Sequence, residues 1–297
     1  FYYDRIHVNG TAMPMRLRSA VGLIPLIAVE VLEQDVIDRL PGFQRRLQWF
    51  LENRKDLAAH IAYFDADGDG RPDAHGHRLL AIPSRERLER VLRVLLDERE
   101  FLSPHGVRSL SRTYADEPYE FAIGGNTYRV CYSPAESTTE LFGGNSNWRG
   151  PVWLPLNFLL IEALERYHHF YGDTLRVECP TGSNRWLDLR EVADELARRL
   201  VSLFVPGERG MPPFAGGDAR FADDPHWRNL LLFHEYFDGD TGRGLGASHQ
   251  TGWTGCIAIT VALNGGLTKE MVAMRGAESA AIRLHASIIH PHSYDLG

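Results

Sequence analysis

The sequence predicts an all-α fold, and three observations carry that prediction. Apolar residues recur at helical spacing through most of the chain, only one segment carries a clear hairpin signal, and the connections between periodic segments are long and rich in Gly, Pro, Ser and Asp. Helices joined by such loops suggest an array whose loops build a site at one end, because connections of this length are usually functional.

Taken in order, residues 20–33 are apolar on nearly every side (Val21, Leu23, Ile24, Leu26, Ile27, Val29), the pattern of a helix packed between helices. Pro41 suits a first helical turn, and Phe43, Leu47, Phe50 and Leu51 then share one face until Asn53. Ser84 is placed to cap a helix with Leu88, Val91, Leu92 and Leu95 as its stripe. Residues 119–123 and 127–132 flank Gly124-Gly125-Asn126 and predict the one short β-hairpin. Residues 152–171 form another long helix. Asp188 followed by Glu191 is a capping-box pair, with Val192, Leu196, Leu200 and Leu203 continuing the apolar face. Long loops cover 101–118, 133–150 and 206–224, and no fixed repeat period is visible.

The 297 residues are 44% hydrophobic and 24% charged, a globular composition that excludes disorder, collagen and coiled coil. With 32 basic and 39 acidic side chains the net charge is -7, which lacks the cationic footprint of a nucleic-acid binder. No apolar run reaches membrane-spanning length, so neither nucleic acid nor membrane is an expected partner. Cys131, Cys179 and Cys256 are too widely spaced for a disulfide framework or a zinc site, which points to a reducing, cytoplasmic setting. The first residues lack the regions of a signal peptide, but the absence of an initiator Met leaves export open.

Three segments carry chemistry. Asp65, Asp67, Asp69 and Asp73, with Gly70, match the opening of a calcium loop, whereas Gly76 stands where a bidentate Glu belongs. The segment reads either as a structural calcium site or as a solvated acidic loop, and no cofactor is otherwise required. Next, Glu136, Asn145, Asn147, Trp148, Arg149 and Trp153 crowd one loop that leads into a helix. Flat apolar faces beside fixed donors suit a sugar ring; the alternative is that the aromatics are core and Arg149 pairs with a carboxylate such as Glu136. The third segment runs from Phe233 through Glu235, Tyr236, Asp238 and Asp240 to Gln250 and Trp253. Asp238 and Asp240 read as solvated turn residues, but Glu235 falls between Leu231, Leu232, Phe233, Tyr236 and Phe237. A carboxylate in an apolar wall is costly and suits a general base. His168 and His169 have no third ligand at metal spacing and read as packing or surface.

Arg18-Ser-Ala-Val-Gly-Leu-Ile-Pro-Leu26, Phe101-Leu-Ser-Pro104, Arg108-Ser-Leu-Ser-Arg112, Pro134-Ala-Glu-Ser137, the run from Gly143 to Trp153 with its Asn147-Trp-Arg-Gly-Pro-Val-Trp153 motif, Val177-Glu-Cys-Pro-Thr-Gly182 and the run from Glu235 to Trp253 resemble glycoside hydrolase family 63. That family holds the mannosyl-oligosaccharide glucosidases and mannosylglycerate hydrolases, and the likeness is to its bacterial, glucosidase-like branch. The resemblance implies an (α/α)6 toroid barrel, a six-hairpin glycosidase that cleaves terminal α-glycosidic bonds of an oligosaccharide or glycoside with inversion. It implies Glu235 as general base, with Tyr236 completing the motif. The loop residues Glu136, Asn145, Asn147, Trp148, Arg149, Trp153, Gln250 and Trp253 would surround the sugar. The acid Asp of the family precedes the segment resembling Phe1-Tyr2-Tyr3-Asp4. Residues 1–255 therefore correspond to roughly the second half of the barrel, which needs its N-terminal part as partner, unless the chain is a non-catalytic carbohydrate-binding remnant. Residues 256–297 diverge as a disordered or frameshifted tail without the closing helix.

Overall fold

A computed structural model describes residues 1–58, 62–64, 77–140, 146–207 and 210–266. The chain opens with a hairpin of β1 (Asp4–Val8) and β2 (Thr11–Met15). A 3₁₀ turn over Ala20–Leu26 follows and leads into β3 (Val29–Glu33). The continuous helix expected over 20–33 does not form. Pro25 interrupts it, and along Val29–Glu33 buried Val29 and Val31 enclose exposed Glu30, the alternation of a strand. Then come α1 (Gln34–Arg39), α2 (Pro41–Asn53) and α3 (Lys55–Ala58). The strands β4 (Ala62–Phe64) and β5 (His77–Ala81) complete a three-stranded antiparallel sheet in the order β3-β5-β4.

The packed centre begins at α4 (Arg85–Leu95), where the Ser84 hydroxyl accepts the Arg87 amide and Leu88, Val91, Leu92 and Leu95 are buried. A tight hairpin of β6 (Leu102–Ser103) and β7 (Gly106–Val107) enters the core with Phe101, Leu102 and Val107 fully enclosed, so the first of the expected long loops is partly interior. The expected hairpin forms from β8 (Tyr119–Ile123) and β9 (Asn126–Val130), with a two-residue Gly124-Gly125 turn in place of the expected three-residue loop, because Asn126 pairs with Ile123. Next stands α5 (Leu154–Tyr171), then β10 (Arg176–Glu178) pairs with β11 (Trp186–Asp188), and α6 (Leu189–Val201) follows with both halves of the Asp188–Glu191 capping box present. The last described elements are α7 (Arg220–Asp223), the paired β12 (Tyr236–Phe237) and β13 (Gly244–Leu245), and α8 (Ile257–Gly266).

One apolar cluster joins α4, the β6–β7 hairpin, α5 and α6, and α8 packs on α6. The domain is thus mostly helical but not all-α: six small sheets punctuate it among the described residues. A helix stands at Ile257–Gly266, where the closing helix had been expected to be lost. It is apolar, and Ile257 joins the core, which is reason enough for it to fold. No described helix is long and apolar enough to cross a membrane.

Candidate active site

Three bridged segments bring the expected loop residues together. Val152 pairs antiparallel with both Arg108 and Phe237. Val152 and Phe237 exchange two backbone hydrogen bonds of 2.8 Å, and the Ser109 amide donates to the Pro151 carbonyl at 3.0 Å. The strand that ends at Trp153 is therefore bound to the one that begins just after Glu235. Close approach needs glycine here. Gly150 has φ +142°, and a Cβ on it would overlap the Tyr132 ring, while one on Gly239 would lie 2.6 Å from the Gly150 carbonyl oxygen.

The chain then returns to Glu235 from the other side. Phe233 bridges His249 in parallel, and the Gln250 amide donates to the Phe233 carbonyl at 2.8 Å. The Trp253 indole Nε1–H donates to the Glu235 carbonyl at 2.9 Å. Its ring stacks on Trp153 with centroids 5.5 Å apart and planes 6° from parallel, and Trp148 meets Trp153 edge-on at 5.2 Å. The indole N–H of Trp153 is buried without a hydrogen-bond partner among the described residues. Such a group is costly unless something accepts from it.

Glu136 is tied into the same place. The Tyr236 hydroxyl donates to its Oε2 at 2.8 Å and the Ser146 hydroxyl at 3.0 Å. Burial, the bond to Glu136 and the charges of Glu136 and Glu235 together push the Tyr236 phenol up to about 12, against the opposing bond from Ser146, so it remains a donor at neutral pH. The pairing of Arg149 with Glu136 weighed above does not form. Arg149 is buried and donates to the Thr139 hydroxyl, and burial lowers its pKa. Asn147 is buried in the turn Ser146–Arg149, and Gln250 is half-buried with its backbone engaged. Glu235 is half-buried over Gly246, and its wall is less apolar than expected because Leu231 is 54% exposed. Asn145 and the acidic residues Asp65, Asp67, Asp69 and Asp73 lie outside the described residues.

Asp238 is not the solvated turn residue expected, whereas Asp240 is an exposed turn residue that nonetheless has fixed partners. Asp238 is buried and accepts the Asp240 and Thr241 amides at 2.9 Å each. Asp240 accepts from the buried Arg108 at 3.1 Å and from the Tyr132 hydroxyl at 3.0 Å, while Arg108 also donates to Tyr132 at 3.0 Å. This network pins the loop after Glu235 to the loop before Trp148. Nothing in the spacing of Arg108, Tyr132 and Asp240 signals it, since its members lie up to 132 positions apart.

His168 also finds partners that the sequence hides. Ligand atoms of His168, Asp173 and Asp188 lie within 4.8 Å of one another at the far end of α5, a set able to hold a transition metal. His168 Nδ1 is 3.5 Å from Asp188, which caps α6 at the same time.

The sequence profile of the mannosylglycerate hydrolase MGH1-like glycoside hydrolase domain matches residues 78–254, which hold the tryptophan stack and Glu235. The chain belongs to this family. An uncharacterized protein of Saccharomyces cerevisiae is 48% identical over 261 residues, covering 87% of the chain and 24% of the relative. A probable mannosyl-oligosaccharide glucosidase of Schizosaccharomyces pombe is 26% identical, covering 78% of the chain and 24% of the relative. The mannosyl-oligosaccharide glucosidase of S. cerevisiae is 22% identical over 58% of the chain and 14% of its own length. The chain thus spans about a quarter or less of the curated relatives it matches. All three are yeast proteins, and none of them supports the bacterial branch.

Proposed function

We propose that this chain carries the general-base side of an inverting α-glycosidase site. Glu235 is the base, and the stacked Trp153 and Trp253 with Trp148 form the floor under the sugar ring. The observation that supports this most is the Trp253 indole, which holds the Glu235 backbone with its N–H while its face lies against Trp153. One residue thereby sets the distance between a carboxylate and an aromatic platform. The Trp153 N–H, which has no acceptor among the described residues, is a ready donor for a sugar hydroxyl. Asn145, Asn147, Arg149 and Gln250 supply further polar contacts in this reading, and Glu136 with Tyr236 orients a hydroxyl.

In an inverting reaction one carboxylic acid protonates the leaving oxygen, and the opposing carboxylate takes a proton from water on the other ring face. Glu136 accepts from two hydroxyls and is poorly disposed to donate a proton. The acid is assigned, as the resemblance to the family implies, to an Asp outside this chain, in the remainder of an (α/α)6 barrel. The names of the relatives favour a mannosyl-oligosaccharide that bears glucose. The acidic loop is assigned at most a structural calcium, and no step of hydrolysis runs through it.

In the full protein, Glu235→Gln keeps the shape of the side chain and removes its charge. The expected loss in kcat is about 10²- to 10⁴-fold, with substrate binding retained. Activity within about tenfold of wild type overturns the assignment and leaves carbohydrate binding without turnover as the reading.

A further inference from the structure

We propose a second carbohydrate-binding site on this chain, a cleft between α4 and the β10–β11 hairpin that takes a neutral oligosaccharide against the exposed face of Trp186. The cleft encloses about 350 Å³, within the range of small-molecule sites. Trp186 lies on its wall with 57% of its surface exposed, the largest share but one among the described large hydrophobic residues. A tryptophan left in water at the lip of a cleft offers an apolar platform with no core to serve.

The polar residues around it decide the class of ligand. Arg93 and Arg176 offer donors, Glu178 and Glu89, the latter also held by Arg85 at 3.2 Å, offer acceptors, and the four lining side chains sum to zero charge. A cleft built for phosphate, nucleic acid or an acidic peptide would carry an excess of positive charge. Alternating donors and acceptors around an aromatic face instead match a ring of hydroxyls, each of which both donates and accepts. The walls are fixed before any ligand arrives. The Thr181 amide donates to the Leu96 carbonyl at 2.9 Å, and the Thr181 hydroxyl to the Arg93 carbonyl at 2.8 Å, which clamp the hairpin turn to the end of α4. The Gly182 and Asn184 amides hold the Glu178 carboxyl below its usual range, so it stays an acceptor in mildly acid solution.

This cleft is separate from the tryptophan stack. Trp153 immediately precedes α5, and β10 begins just beyond its C-terminus, so the 18-residue helix puts about 27 Å between them. The site stands whether or not Glu235 is a catalytic base, and it gives the protein a means of holding a glycan away from the reacting bond.

The test uses the full protein in a Glu235→Gln background, titrated with a neutral α-linked glucose tetrasaccharide and followed by calorimetry and tryptophan fluorescence. Trp186→Ala is expected to weaken one binding event by about tenfold or more, Trp186→Tyr to retain it, and Glu178→Gln to weaken it less. The exposure of Trp186 predicts that its variants fold, and an unchanged melting temperature checks this. Unchanged tetrasaccharide binding in Trp186→Ala overturns the proposal, as does absence of binding in the parent protein at roughly millimolar sugar. Saturable binding of inorganic phosphate that Arg176→Ala abolishes, without binding of the sugar, makes the cleft an anion site and equally overturns it. Turnover by the Glu235→Gln protein bears on the catalytic reading alone.

Discussion

Helices α2 and α4 are written in the same pattern and used differently. Each has an apolar stripe at helical spacing and charged residues opposite. In α4 the stripe is interior, with Leu88, Val91, Leu92 and Leu95 all at 1% exposure or less. In α2 no residue is fully buried, Phe43 is 43% exposed, and Leu47 and Leu51 border an open groove of about 370 Å³ shared with Ile37 and Arg78. An amphipathic pattern therefore specifies a helix with a face, not the presence of something to cover that face. The two helices also begin differently. Ser84 caps α4 with its hydroxyl, whereas Leu40 precedes α2 and caps nothing.

The largest expected effect separates the two stripes. Leu92→Ala opens a cavity in the packed region and should cost about 2–5 kcal/mol in denaturant unfolding. Leu47→Ala should cost less than about 1 kcal/mol, and a penalty equal to that of Leu92→Ala breaks the comparison, because α2 would then be packed in solution.

A second test uses the carboxyl of Glu165, held between α5 and α6 beside Arg190 and Asp194. Burial raises its pKa to about 7; Glu162 and Asp194 add to the rise, and Arg190 opposes it. A carboxyl whose folded pKa is raised adds stability that is fully present below the unfolded value and is lost as pH climbs through the folded one. Between about pH 4.5 and 7 the wild-type protein should lose up to about 3 kcal/mol from this group, and Glu165→Gln should remove that slope from the unfolding free energy. An unchanged slope shows that Glu165 ionises as it does in water.

Smaller effects lie at the helix starts. Asp188→Ala removes the capping box of α6 and should cost about 0.5–2 kcal/mol in thermal unfolding. Leu40→Ser supplies α2 with the cap it lacks, for a gain of about 0.5–1 kcal/mol. No gain would mean that the first turn of α2 is set by contacts other than its cap.

Local rules were legible wherever the deciding residues are neighbours. The Ser84 cap, the Asp188–Glu191 box and the hairpin at Gly124-Gly125 all close within a few positions, and all appear, the hairpin with a loop one residue shorter than expected. The clustering of Trp148, Arg149 and Trp153 before a long helix was legible for the same reason, as was the loop run that carries Glu235. Segment 20–33 misled because hydrophobic content alone cannot distinguish a buried strand from a buried helix once Pro25 has broken the period.

What the sequence determined by itself is the set of amphipathic segments, their caps and turns, and the two loops in which the site residues are concentrated, since each follows from the chemistry of adjacent side chains. Only the tertiary structure decided that Trp253 stacks on Trp153, that Tyr236 reaches Glu136, and that Arg108 and Tyr132 meet Asp240. Those contacts join residues from about 100 to 132 positions apart, and their geometry depends on the packing of α4, α5 and α6 beneath them. Proximity of that kind is a property of how buried surfaces fit together, and no local spacing rule contains it.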